Sequence, residues 1–348
     1  MGKPMPLLSN KGKSFIGSYV LGLGFVLSHE QANELIRKDP RNKDVIFPYL
    51  NGDDLNSDPE QKPSRWVINF FEWDEKTAKS YPDCYNIIEQ NVKPERLTKN
   101  DQRGREKWWQ FLRVRRELYN AISELDQVIV LPRVSKYFVV SIAQKNIVYS
   151  EATVVIALGS FSSYAILSSV VHEIWAWKNS STMKGDALRY SASRAFETFP
   201  FPSNSPQLLE ELGHNLYLLR KELMLKYKIG LTDLLNIYHN KELKLSSIYF
   251  NDILRLRKLQ EKIDFFVCAA YGWEYIVLEH NFQIIEYLPI NDRIRYTIDL
   301  NARKIILNKL SSLNLKEQII QSTSQLKINE RKQKTKFNSL NLFSEKDF

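Results

Sequence analysis

The sequence predicts an α+β protein: a mixed sheet-and-helix domain followed by a mainly helical one. Before residue 200, short runs of β-branched and aromatic residues alternate with stretches of helical periodicity. After Pro202 the apolar residues recur at helical spacing over long stretches instead. Between the two regimes stands Phe199-Pro-Phe-Pro202. Pro200 and Pro202 each fix φ, lack an amide donor and push the preceding residue toward extended geometry, so residues 198–202 are expected to run as a stiff connector. At 348 residues the chain is long enough to bury two cores.

Taken in order, residues 1–28 are glycine-rich and weakly patterned, with Gly17, Gly22 and Gly24 interrupting an apolar run, and read as a joint to an upstream domain. Residues 29–37 suit a short helix capped by Ser28, and residues 45–50 lead into an Asn51-Gly-Asp-Asp54 turn. Residues 65–71 alternate as a strand does. From 106 to 125 the positions of Trp108, Trp109, Leu112, Leu118, Tyr119, Ile122 and Leu125 predict one amphipathic helix. Strands are expected at 128–131, 137–142, 147–149 and 153–158, the middle two joined by a turn at Lys145-Asn146, and a helix at 162–177. The recognition domain thus spans 29–202.

In the helical domain, 203–315, Ser205 with Pro206 reads as an N-cap and first-turn pair. The helix they open carries Leu209, Leu212, Leu216, Leu219 and Leu223 until Gly230 offers a stop. A second helix opens at Asn251 or Asp252, carries Ile253, Leu256, Leu259, Ile263, Phe266 and Ala270 on one stripe, and stops at Gly272. Residues 316–348 are rich in Gln, Ser, Lys and Asn and are expected as a disordered basic tail.

Charge narrows the class of partner. The net charge of +9 points toward a polyanion, and clustering has to decide it. Two cysteines, Cys84 and Cys268, are too few for a disulfide framework, and no secretory leader opens the chain, so a reducing cytoplasm is expected. The uncharged segment 152–172 contains Gly159 and several Ser and Thr residues and lacks the apolar centre a bilayer requires, so it reads as a buried strand followed by a buried helix, with no membrane partner.

No catalytic constellation is legible. There is no Pro-Pro pair of the kind found in the amine-binding loop of an adenine methyltransferase, and Gly22-Leu-Gly24, the lone Gly-x-Gly, follows no strong strand. Pro82-Asp83 has no Glu-x-Lys at nuclease spacing: the next one downstream is Glu330-Arg-Lys332, whereas Glu60-Gln-Lys62 and Asp74-Glu-Lys76 precede it. His29, His172, His214, His239 and His280 are scattered and give no zinc spacing, and His172 suits a core position. No catalytic, metal or cofactor residue is assigned.

Basic residues do cluster. Lys93, Arg96, Lys99, Arg103, Arg105, Lys107, Arg113, Arg115 and Arg116 crowd one stretch, fit either to track phosphates or to form a solvated helix face. Arg133, Ser135 and Lys136 follow a predicted strand, where Pro132-Arg133 aims a side chain outward. Glu173, Trp177, Lys178, Asn179, Lys184, Arg189 and Arg194 gather in and around a predicted loop, and Arg, Lys, Asn and Glu are the side chains that read base edges. These seventeen residues, without Arg115 and Arg116, are the candidate DNA-binding set.

A resemblance sharpens this. Residues 54–70, Val92-Lys-Pro-Glu-Arg96, Arg103-Gly-Arg-Glu-Lys-Trp-Trp109, Pro132-Arg-Val-Ser-Lys136, Leu188-Arg-Tyr-Ser191 and Phe199-Pro-Phe-Pro202 resemble successive landmarks of the MmeI-like Type IIG restriction-modification enzymes, in their DNA target-recognition half. Gly230-Leu-Thr232, residues 252–257, Ala270-Tyr-Gly-Trp273 and Arg295-Tyr-Thr-Ile298 resemble the helical segment that follows, so the resemblance covers residues 45–315. It implies a double-stranded-DNA recognition module that directs adenine-N6 methylation or cleavage by a methyltransferase or nuclease polypeptide, with S-adenosylmethionine and Mg²⁺ held in those catalytic domains and no cofactor here. The alternatives are an enzyme with an unrecognised site and a non-functional gene remnant. Ser339-Leu-Asn-Leu-Phe343 also resembles a sliding-clamp docking peptide, with Leu340, Leu342 and Phe343 as its apolar anchors.

Overall fold

The computed structural model describes residues 3–183, 187–204 and 206–344, with side chains placed through 324. Three small sheets build the first half. β1 (Ser14–Ile16), β9 (Thr153–Ile156), β5 (Gln127–Pro132) and β7 (Ser141–Gln144) lie side by side in that order, all antiparallel. β2 (Val26–Leu27), β4 (Arg65–Ile68), β3 (Ile46–Leu50) and β8 (Val148–Tyr149) form a second sheet, in which β8 joins β3 in parallel. β10 (Ser181–Met183), β11 (Ala187–Arg189) and β6 (Val134–Ser135) form the third.

β5 shows why its sequence is continuously apolar. Successive side chains point to opposite faces, and both faces are covered. Ile129 and Leu131 enter the core beneath α8 (Phe161–Ser168) and α9 (Val170–Asn179), while Val128 and Val130 enter a separate cluster with Leu118 and Ile122 of α7 (Arg116–Ile122). A third cluster gathers Phe25, Val67, Phe70, Tyr85, Ile88, Trp108 and Phe111 around the second sheet.

Several sequence expectations hold. Helix α1 (His29–Lys38) opens on a capping box in which Ser28 Oγ accepts from Gln31 N and Ser28 N donates to Gln31. Segment 152–172 is a buried strand followed by buried helix. The expected 162–177 helix is, however, broken at Ser169, whose ψ of 158° is extended.

Other expectations give way to tertiary packing. The Asn51 turn opens a short helix, α2 (Gly52–Ser57), because the Asn51 side chain accepts from Asp53 N and Asp54 N. The single helix expected over 106–125 does not form. Trp108, Trp109, Gln110 and Phe111 are consecutive and all buried, which one helical face cannot achieve. Instead α3 (Glu75–Lys79), α4 (Pro82–Asn91), α5 (Lys93–Thr98) and α6 (Gln102–Glu106) are short, and the chain then crosses back to pair Arg113 with Tyr19 before α7. The segment at 137–142 is strand only from Ser141, and β8 pairs with β3 rather than across the Lys145-Asn146 turn.

The glycine-rich opening packs into the fold. β1 lies on the sheet edge, Leu7 and Phe25 are buried, and Leu7 N donates to Glu197 O. The proline connector is buried as well: Asn10 Nδ2 donates to the Phe199 carbonyl, Asn314 Nδ2 to that of Thr198 and Tyr271 Oη to that of Pro200.

The second half comprises α10 (Gln207–Tyr227), α11 (Leu231–Tyr238), α12 (Phe250–Ala270), a hairpin of β12 (His280–Ile284) with β13 (Ile294–Ile298), and α13 (Leu300–Ser344). Pro206 precedes α10 rather than entering its first turn, and Ser205 lies outside the described residues. α10 ends at Lys228 in left-handed conformation, two residues before Gly230, and Gly230 opens the unforeseen α11. A Cβ on Gly213 would stand 2.0 Å from the Phe161 carbonyl oxygen, so only glycine lets α10 lie this close to α8. The same core continues from the β5 face through α8 to α12 and on to Ile306 and Leu310. From Lys316 the polar stretch expected as disordered continues α13, in keeping with its many Lys, Gln, Leu and Ile residues.

Candidate nucleic-acid interface

The densest basic stretch separates into unlike roles. Arg96 is 2% exposed and donates to the carbonyls of Leu21 and Val20 and, at 3.4 Å, of Gln110. Burial lowers its pKa. It ties the opening segment to the 108–111 turn and is closed to a ligand, so it leaves the candidate DNA-binding set. Lys93 pairs with Glu89 at 2.7 Å and sits over the Trp108 ring, and Lys99 lies 3.7 Å from Glu95. Arg103, Arg105, Lys107 and Arg113 are exposed, and among the described residues their side chains have no hydrogen-bond or ion-pair partner.

Sites chosen around 133–136 divide in the same way. Ser135 is buried, with its hydroxyl 3.5 Å from Asn56 Oδ1 and its backbone paired to Leu188. Lys136 pairs with Asp292 at 2.8 Å and donates to Asn236 Oδ1, so it fastens β6 to the helical half. Both are structural. Arg133 is half-buried and makes no ion pair among the described residues.

The third cluster also loses members to packing. Glu173 accepts from Arg303 Nη1 at 3.0 Å, Trp177 packs on Tyr287 with ring centroids 5.7 Å apart, and Asn179 Nδ2 donates to Trp175 O. Lys178, Arg189 and Arg194 are exposed and unpaired among the described residues, whereas Lys184 lies outside them. In place of the expected loop, β10 pairs with β11, which β6 joins on its other side, and Thr182, Met183 and Arg189 are exposed while Leu188 is buried. His172 supports this sheet from below: it is fully buried, its Nε2 lies 2.9 Å from Tyr190 Oη, and burial pushes its pKa down to about 3.

What the sequence did not reveal is a convergence of three arginines. Arg133 N donates to Ala152 O, and Tyr190 N donates to Arg133 O, which sets Arg133 beside the end of β11 and its Arg189. The turn at 150–153 also holds Gly17, whose amide donates to Thr153 O and whose carbonyl accepts from Arg115 Nε at 3.3 Å. A Cβ on Gly17 would lie 2.2 Å from Ser150 O, so the close approach that brings Arg115 here requires glycine. Arg115 itself is left-handed, with φ of 63°. Burial lowers the pKa of Arg133, and repulsion from Arg189 and then Arg115 lowers it further, against an opposing pull from Glu151. No arginine of the three has a carboxylate within 4 Å among the described residues. Like charges held together with no carboxylate in ion-pair contact form a site that an anion stabilises.

Exposed β-strands are among the elements that a DNA groove admits, and unpaired arginines suit phosphates and guanine edges. Among the described residues no group of three or more His, Cys, Asp or Glu side chains is arranged to hold a metal ion. By class, then, this is a nucleic-acid recognition scaffold.

Comparison with known proteins gives the family. Residues 9–203 match the family described as "MmeI, target recognition domain", and the chain belongs to it. That match includes the glycine-rich opening, which the resemblance at residues 45–315 left out. The fold is similar to that of the Type IIL restriction-modification enzyme MmeI, solved in complex with DNA: 16% identity, TM-score 0.55, covering 91% of this chain and 36% of that one. The type IIG restriction endonuclease BpuSI is also similar over 77% of this chain and 30% of its own, at 14% identity and a TM-score of 0.32. This chain therefore spans about a third of either enzyme. No curated protein sequence matches it.

Proposed function

We propose that this chain recognises a specific double-stranded DNA sequence and thereby directs adenine-N6 methylation, cleavage or both by catalytic domains outside it. The observation that carries this reading is the unpaired convergence of Arg115, Arg133 and Arg189 beside the exposed β10–β11 pair, on the scaffold of a target-recognition family. Arg133 and Arg189 are assigned to base edges or the phosphates flanking them, and exposed Arg103, Arg105, Lys107, Arg113, Lys178 and Arg194 to the DNA backbone. S-adenosylmethionine and Mg²⁺ belong, in this reading, to the catalytic polypeptide, and no residue here is assigned to them. A reducing cytoplasm suits the two free, buried cysteines, Cys84 and Cys268. Docking on a sliding clamp through Leu340, Leu342 and Phe343 would require local unwinding of α13, which covers these residues.

The test is a binding selection on randomised duplexes with the wild type and with Arg133→Gln. Enrichment of one sequence motif by the wild type, and relaxed preference at one position in the variant, is the expected result. Equal recovery of all duplexes by the wild type would refute sequence recognition. Modification of DNA by the isolated chain would instead favour an enzyme in its own right.

A further inference from the structure

Between the two halves of the molecule lies a cavity of about 90 Å³ walled by Lys136, Tyr137, Arg220, His239, Asp264 and Arg295, among others. Its charged groups are unequally satisfied. Lys136 has Asp292, and Glu173, also on the wall, has Arg303. Asp264 accepts from Val170 N, Gln260 Nε2 and His280 Nε2. Arg220 and Arg295 have no carboxylate within 4 Å among the described residues, although they are 9% and 8% exposed.

Other buried arginines show how this protein settles such a charge without a carboxylate. Arg96 and Arg257 each place bonds on main-chain carbonyls, Arg257 donating to Tyr238 O from both Nε and Nη2, although Nη1 of Arg96 is buried without a partner. Arg295 has a single hydrogen bond, from Nη1 to Ile294 O at 3.3 Å, and Arg220 donates from Nη1 to Tyr164 Oη at 3.1 Å and Val140 O at 3.5 Å, leaving Nε buried without a partner. His239 lines the same space. His239 Nδ1 accepts from Tyr296 N, so a neutral ring carries its proton on Nε2. The His239 ring stacks on Tyr137 at 5.1 Å, and the Arg295 guanidinium lies 4.6 Å from the same ring's centre, so aromatic contact holds both groups in place.

We propose that this cavity binds a small tetrahedral oxyanion, of which inorganic phosphate is representative, through Arg220, Arg295 and His239. Guanidinium groups that lack a carboxylate are what such an anion completes. At roughly 10–15 Å³ for each water-sized sphere, the space admits an oxyanion with a few waters and excludes a nucleotide. Because Lys136 and Tyr137 come from the recognition domain and Arg220, His239 and Arg295 from the helical one, an occupant ties the two together.

The experiment is thermal unfolding of the full chain in phosphate against chloride, at matched ionic strength and pH. The wild type should show a saturable rise in melting temperature of a few degrees, Arg220→Gln and Arg295→Lys should lose at least tenfold in apparent phosphate affinity, and Arg133→Gln on the DNA face should keep it. Melting in chloride reports whether each variant retains its fold, and Arg295→Lys preserves the charge for that purpose. No rise in the wild type, or an equal rise in both cavity variants, overturns the proposal. A rise produced only by duplex DNA and removed by Arg295→Lys also overturns it, by assigning the cavity to the DNA backbone.

Discussion

Two basic regions of this protein look alike in composition and differ in what they can do. The stretch from Lys93 to Arg113 is dense along the sequence, yet its members scatter: Arg96 is buried on carbonyls, Lys93 and Lys99 answer glutamates, and Arg103, Arg105, Lys107 and Arg113 are exposed singly. Arg115, Arg133 and Arg189 are far apart in sequence and come together around the 150–153 turn. Charge density along a chain measures solvation as much as binding. Convergence of like charges with no carboxylate in ion-pair contact marks a place reserved for an anion.

The largest expected effect tests whether Arg96 is structural. Arg96→Ala leaves the carbonyls of Val20, Leu21 and Gln110 without a donor and empties a buried volume, so denaturant unfolding should register a loss of about 3 kcal/mol. A fully stable variant that binds DNA poorly would reverse the contrast. On the other side, Arg133→Ala and Arg189→Ala should each weaken specific duplex binding by about 1–3 kcal/mol, read by fluorescence anisotropy at fixed salt, with stability little changed. Unchanged affinity in both would remove the convergence from the interface.

The support beneath the β10–β11–β6 sheet titrates. Burial holds the folded-state pKa of His172 near 3 against 6.5 in the unfolded chain, so the neutral folded form contributes stability that is complete above pH 6.5 and is lost as the pH falls from there toward 3. His239, depressed by burial and by neighbouring cations, acts in the same direction. For His280 burial acts downward but the Asp264 carboxylate outweighs it, so its raised pKa makes a contribution that is present below 6.5 and lost as the pH rises through the folded value. His172→Gln should therefore flatten the stability profile between pH 6 and 4 by up to about 1.4 kcal/mol per pH unit. A profile parallel to that of the wild type would show that folding leaves the titration of His172 unshifted. The smallest effect belongs to Lys99→Ala, whose exposed pairing with Glu95 predicts less than about a twofold change in affinity, uniform over all sequences. A specific loss there would blur the two regions into one surface.

Much of the fold was legible in the residues alone. Local chemistry decided the Ser28 cap, the apolar β5, the helical stripes of α10 and α12 and the stop at Gly272, because each depends on neighbours within a few positions. The family landmarks were likewise visible as a sequence. Only the tertiary structure broke the 106–125 helix, since the burial of Trp108 through Phe111 depends on a core built from residues 25, 67, 70 and 85. It also decided the roles of like residues. Whether an arginine is buried on carbonyls, as Arg96 is, or held unpaired beside two others, as Arg133 is, depends on which distant carbonyls and carboxylates the fold brings near it, and electrostatic energy is a function of those distances, to which spacing along the chain is blind.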